Sequence, residues 1–121
     1  VLADVPCTGL GVIGKKRDIK YRQTKENLTE IIVLQKDILR QAVRYLRPGG
    51  TLLYSTCTIN RAENEDMVRW MQKELSLTPV TVESALRGFP ETETAKEGYM
   101  QLLPGIHDTD GFFFAKLKRG L

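Results

Sequence analysis

The sequence predicts an α/β fold, and three observations predict it. Two short apolar runs, Val1-Leu2-Ala3 and Thr51-Leu52-Leu53-Tyr54, read as buried strands. Between them an apolar repeat at spacings of three and four runs from Leu28 to Leu46 and reads as an amphipathic helix. Pro48-Gly49-Gly50 stops that helix just before the second run. The unit is strand, helix, strand, and a right-handed crossover makes the two strands parallel neighbours, about 4.8 Å apart.

The first strand covers Val1 to Val5 and breaks at Pro6, which cannot donate to a ladder. Thr8 to Gly14 is a glycine-rich loop, and Lys15, Lys16, Arg17, Lys20 and Arg22 follow it with Tyr21 among them. Asn27, with Glu30 three residues on, has the pattern of a helix start. The apolar face is then Leu28, Ile31, Ile32, Gln35, Ile38, Leu39, Ala42, Val43 and Leu46. After the second strand, Asn60 and Glu63 repeat the capping-box spacing, and Met67, Val68, Met71 and Leu75 supply a second helical face. Leu77 to Val82 alternates weakly and reads as a third strand, its first half compromised by Pro79. Residues 83 to 101 are polar and read as a long surface loop. Leu102 to Gly105, a turn from Asp108 to Gly111 and a closing strand, Phe112 to Leu117, complete the chain before a basic tail, Lys118 to Leu121. The Phe112-Phe113-Phe114 run belongs to the core of that strand rather than to a base-stacking platform.

Composition narrows the function classes. The chain has 121 residues, one domain at most, with 18 Lys and Arg against 15 Asp and Glu, a net charge of +3. Such mild basicity permits contact with a polyanion without demanding it. A hydrophobic content of 41% suits a globular fold rather than a disordered one. No apolar run approaches the roughly 20 residues of a membrane span, and no signal peptide is visible. Two cysteines do not make a disulfide scaffold, so a reducing cytoplasm is the expected compartment. The chain begins at Val1, inside a strand, and reads as a piece of a longer polypeptide.

Cys7 follows the first strand and Cys57 the second, so parallel pairing brings both thiols to one carboxyl edge, with Asp4 beside them. Cys57 also stands ahead of the second helix, whose dipole would favour a thiolate. Position alone leaves a nucleophile and a buried structural cysteine equally open. A disulfide between the two is sterically possible, although the expected compartment favours free thiols. A metal site is disfavoured, because there is no Cys-x-x-Cys and the sole histidine, His107, lies far along in what reads as a solvated loop. Gly9-x-Gly11-x-x-Gly14 matches a dinucleotide fingerprint in form, but Pro6-Cys7 intervenes and the helix opens only near Asn27. Lys15, Lys16, Arg17 and Lys20 form either a phosphate-gripping patch or an ordinary solvated loop.

Asp4-Val5-Pro6-Cys7-Thr8-Gly9-Leu10-Gly11, Tyr54-Ser55-Thr56-Cys57-Thr58, Glu63-Asn64-Glu65 and Asp110-Gly111-Phe112-Phe113 together resemble the RNA cytosine-5 methyltransferases of the NOL1/NOP2/Sun family, and within it the bacterial branch that modifies 16S ribosomal RNA. The resemblance runs over essentially the whole chain. It implies a Rossmann-like S-adenosylmethionine-dependent methyltransferase sheet, of which residues 1 to 121 are the C-terminal half. It implies that Cys57 is the nucleophile, that Cys7 helps release the product, and that Asp4 lies at the cofactor and base pocket. It further implies an RNA partner, with Lys15, Lys16, Arg17 and Lys20 on its phosphates. Gly14-Lys15 stands where the family usually has two arginines, a departure that loses bidentate phosphate binding. The rivals are a DNA cytosine-5 methyltransferase using Cys7, a non-catalytic RNA-binding module of the same fold, and a thiol-disulfide switch. Two further expectations concern the chain by itself: it lacks activity, and its Val1 to Val5 edge self-associates.

Overall fold

The computed structural model describes residues 1–7, 25–86, 93–107 and 110–121. The glycine-rich loop and the basic residues Lys15, Lys16, Arg17, Lys20 and Arg22 lie outside the described residues. In chain order the elements are β1 (Leu2–Asp4), α1 (Lys25–Arg44), β2 (Thr51–Thr56), α2 (Glu65–Glu74), β3 (Leu77–Pro79), β4 (Tyr99–Leu102) and β5 (Phe112–Arg119), with short 3₁₀ turns at Arg61–Glu63, Glu83–Leu86 and Glu93–Glu97. The expected α/β architecture is present. β1 and β2 pair in parallel with Asp4 opposite Ser55, and β5 runs antiparallel on the other side of β2 with Phe113 opposite Thr56. The far edge of β5 is shared: β4 takes its first half and β3 its second.

Alternation along the strands decides what is buried. Ala3 of β1, Leu52 and Tyr54 of β2, and Phe113, Ala115 and Leu117 of β5 form one core with Leu39 and Leu46 from α1 and its end, and with Met67, Val68 and Met71 of α2. Both helices therefore cover one face of the sheet. Lys36 and Arg40 of α1 lie over the Trp70 ring of α2, 5.4 and 5.2 Å from its centroid, and join the helices at their rims. On the opposite face Leu2 and Leu53, cross-strand partners, remain exposed. The Arg119 guanidinium donates to the carbonyls of Val43 and Leu46, closing the end of α1 where unsatisfied carbonyls collect.

Several sequence expectations are corrected here. α1 opens at Lys25, so Asn27 stands inside the helix and does not cap it. Asn60 does accept a bond from the Ala62 N–H, but it caps only the 3₁₀ turn, and α2 begins at Glu65. The third strand is the half that contains Pro79, and it ends there. Proline is tolerated because β3 is an edge strand. The stretch read as a surface loop holds β4 and a second small core of Val82, Ala95 and Met100, against which Leu102 and Phe114 pack. Lys118 and Arg119 belong to β5 rather than to a tail. His107 is buried, not solvated, and its Nδ1 accepts the Leu103 N–H at 3.0 Å.

Gly98 marks the tightest backbone passage. Its φ is +92°, and a Cβ there would stand 2.8 Å from the Val80 carbonyl oxygen and 2.9 Å from Pro79 Cβ. Gly98→Ala is therefore expected to destabilise the chain by about 3 kcal/mol, the sum of a left-handed backbone and a backbone clash. Urea unfolding of the two proteins measures it, and a difference below about 1 kcal/mol would show that the segment yields freely.

Candidate active site

The two cysteines meet at the carboxyl edge of the parallel pair. Cys57 follows the last residue of β2, and Cys7 stands three residues beyond β1. Neither is in a disulfide, both are half-buried, and their sulfurs lie 2.8 Å apart. The Cys57 backbone N–H donates to the Cys7 sulfur at 3.4 Å. Asp4, at the end of β1, is exposed, and the Ser55 hydroxyl donates to its Oδ1 at 2.9 Å. The structure thus brings Asp4, Cys7 and Cys57 to one edge. It does not place a helix start directly behind Cys57: α2 opens eight residues further on, so the dipole argument for this thiol is withdrawn.

Three sets of buried hydrogen bonds hold this edge in place. Thr56, immediately before Cys57, donates through Oγ1 to Asn64 Oδ1 at 2.7 Å. Asn64 Nδ2 donates to the Thr58 carbonyl at 2.9 Å and to Gln101 Oε1 at 2.7 Å, so the residues on both sides of Cys57 are tied to one side chain. Gln101 Nε2 donates in turn to the carbonyls of Thr58, Leu102 and Phe112, which joins the Cys57 segment to β4 and β5. On the other side, Gln35 of α1 donates from Nε2 to the Pro6 carbonyl at 2.8 Å and to Glu63 Oε1 at 3.1 Å. Gln35, Glu63 and Asn64 are each fully buried.

Tyr54 completes the third set. Its hydroxyl donates to the Glu63 carbonyl oxygen at 2.6 Å. Burial first, then the proximity of Glu63 and of Cys7, pushes that hydroxyl far above the ordinary tyrosine value, so it stays protonated and keeps donating. Gln35 is held at a cost: its Oε1 is buried with no hydrogen-bond partner among the described residues, a penalty on the order of 1–3 kcal/mol. A leucine there would fill the same space without that penalty, so the amide is present for the two bonds it donates. Sequence reasoning gave no role to Gln35, Asn64 or Gln101. Two signals were available: a polar residue, Gln35, inside an otherwise apolar helical face, and the Glu63-Asn64-Glu65 motif of the family resemblance.

Among the described residues no group of three or more His, Cys, Asp or Glu could hold a metal ion. No described helix is long and apolar enough to cross a membrane.

Residues 1–118 match the family model described as 16S rRNA methyltransferase RsmB/F. The ribosomal RNA small subunit methyltransferases F of Pectobacterium atrosepticum and Shigella flexneri are 36% and 41% identical to the chain over 121 and 123 residues, each match covering 98% of this chain and 25% of the relative. The chain therefore spans about a quarter of the length of these curated relatives. Among solved structures, NSun6 from Pyrococcus horikoshii with SFG superimposes with a TM-score of 0.80 at 32% identity, over 98% of this chain and 29% of that one. A methyltransferase homolog protein from Pyrococcus horikoshii gives 0.75 at 30% identity, over 98% and 38%. The sheet is part of a Rossmann-like methyltransferase fold, and the chain belongs to the RsmB/F family of 16S rRNA methyltransferases.

Proposed function

We propose that the chain carries the thiol chemistry of an S-adenosylmethionine-dependent RNA cytosine-C5 methyltransferase acting on 16S ribosomal RNA in the cytoplasm. The observation that supports this reading best is the contact of two thiols, not joined as a disulfide, at the carboxyl edge of adjacent parallel strands, beside an exposed carboxylate. Cytosine C5 is a poor nucleophile. Attack of the Cys57 thiolate on C6 saturates the C5–C6 bond and gives C5 enamine character. S-adenosylmethionine, when bound, supplies the methyl group that C5 accepts. Removal of the C5 proton then lets Cys57 leave by elimination. Cys7, its sulfur against that of Cys57, is placed to take a proton or to trigger release.

The cofactor fits the residues present in one respect: Asp4 is exposed at the sheet edge and fixed by Ser55, a suitable polar contact for cofactor or base. SFG, present in the NSun6 structure, is an S-adenosylmethionine analogue and supports the same cofactor. The target base has to leave its stack to reach the sulfurs, which favours loops and single strands of RNA. Lys15, Lys16, Arg17 and Lys20 would hold the flanking phosphates. The test is mass spectrometry of 16S rRNA treated with S-adenosylmethionine and an enzyme of the relatives' length that carries this segment. The expected product is 5-methylcytosine, and methylation confined to other positions or bases would refute the assignment.

Two expectations concern the chain alone. Spanning about a quarter of its relatives, it should transfer no methyl group from labelled S-adenosylmethionine to 16S rRNA, and turnover above background would overturn that. Among the described residues no strand pairs with the outer edge of β1, and Leu2 is 67% exposed. Such an edge adds strands readily, so light scattering should find dimers or larger species; a clean monomer would count against it.

A further inference from the structure

We infer that the adjacent residues Glu63 and Asn64 form a two-armed positioning clamp that sets the separation of the two thiols, with Gln35 as the extension of one arm. The inference rests on the reading of Cys7 and Cys57 as a working pair, and it adds the residues that hold the pair together.

The two arms leave one point of the chain in different directions. From Glu63 the path runs through its carboxyl oxygen to Gln35 Nε2, and from the same Nε2 to the Pro6 carbonyl, one residue before Cys7. From Asn64 the path runs to Thr56 and Thr58, the residues on either side of Cys57. The base of the clamp is itself anchored. Tyr54 donates to the Glu63 carbonyl, Gln101 accepts from Asn64, and the Asn64 N–H donates to the Arg61 carbonyl. These bonds cross 28 or more residues of sequence on the Cys7 side and only six to eight on the Cys57 side. Local turn geometry can therefore fix Cys57, whereas the clamp reaches the Cys7 segment through a long-range bond from α1. β1 and β2 alone would not fix the sulfurs, because the last backbone bond between them is Val5 N–H to the Ser55 carbonyl, short of both cysteines. None of Gln35, Glu63 or Asn64 is accessible to substrate, since each is fully buried, so their part is to position and not to react.

A thiol–disulfide equilibrium reads the separation directly, on the chain itself and without RNA or cofactor. Glutathione disulfide takes two hydrogens from the Cys7 and Cys57 thiols, leaving one protein disulfide and two glutathione thiols. The equilibrium constant is the effective concentration of one thiol at the other. Gln35→Leu and Asn64→Ala are expected to lower it by about tenfold or more, and Glu63→Leu likewise. Glu63→Gln keeps the accepting oxygen and is expected to stay within about twofold of the unaltered chain. Leu77→Val, a core truncation on β3 at the far edge of the sheet, is expected to leave it unchanged and separates positioning from general loosening. Should Gln35→Leu fail to fold by circular dichroism, Gln35→Met takes its place. Folded Gln35 and Asn64 variants with unaltered constants would overturn the clamp, as would an equal fall in Leu77→Val. Absence of an RNA adduct in the full-length enzyme, by contrast, would refute the methyl-transfer reading and leave the clamp standing.

Discussion

Cys57→Ala, in an enzyme of the relatives' length, is expected to abolish the covalent protein–RNA adduct and to lower methyl transfer by roughly 10⁴-fold or more, the order of loss when a covalent nucleophile is removed. Cys7→Ala is expected to do the opposite to the adduct: it should accumulate, with turnover slowed at release. The assignment of roles has a structural argument. A nucleophile gains most from being held still. The backbone is tied on both sides of Cys57, by Asn64 to Thr56 and to Thr58. Before Cys7, the Pro6 carbonyl accepts from Gln35 of α1. Denaturing gel electrophoresis of enzyme incubated with substrate RNA and S-adenosylmethionine shows the adduct as a retarded band. Loss of that band in Cys7→Ala and its persistence in Cys57→Ala would exchange the roles and point to the DNA-type assignment.

How far this site could be read from the chain depends on which forces are local. The parallel pair was legible because two short continuous apolar runs and a period of three to four between Leu28 and Leu46 leave little choice of architecture. That register brings Cys7 and Cys57 to one edge of the sheet. The capping reading of Asn60 and Glu63 failed in part for a non-local reason: the Glu63 side chain is engaged by Gln35, 28 residues earlier, and the long helix waits until Glu65. β4 was missed because its residues Tyr99, Met100, Gln101 and Leu102 follow a polar stretch, and their burial is decided by pairing with Phe112 to Ala115. His107 shows the same limit, since a buried imidazole accepting one backbone N–H leaves no trace in sequence spacing. For Glu63 and β4 a long-range partner overrode the local pattern.

The largest expected loss of stability from a single side chain is that of Phe113. It is fully buried, its ring meets Tyr54 edge-on at 6.3 Å and 71°, and Tyr99 at 5.8 Å and 38°. Phe113→Ala removes a whole aromatic side chain from the middle of the sheet and should cost about 3–5 kcal/mol. Against a total of roughly 5–15 kcal/mol for a domain, that is enough to put a sizeable fraction of the chain in the unfolded state at elevated temperature. Phe112 and Phe114 face the other way and are only half-buried, so alanine there should cost about 1–2 kcal/mol. The three melting midpoints, compared by circular dichroism, test a claim that the run of three phenylalanines cannot make by itself: that alternation, and not hydrophobicity, ranks them. The ranking bears on the site, because Phe113 is the register partner of Thr56 and packs on Tyr54, whose hydroxyl anchors Glu63. A cavity at Phe113 should therefore loosen the Cys57 segment as well as the core, whereas one at Phe114 should spend itself in the small cluster of Val82, Ala95 and Met100. Equal losses at all three positions would mean that the two faces of β5 are buried alike, and the mechanical link from core to thiols would fall with that result.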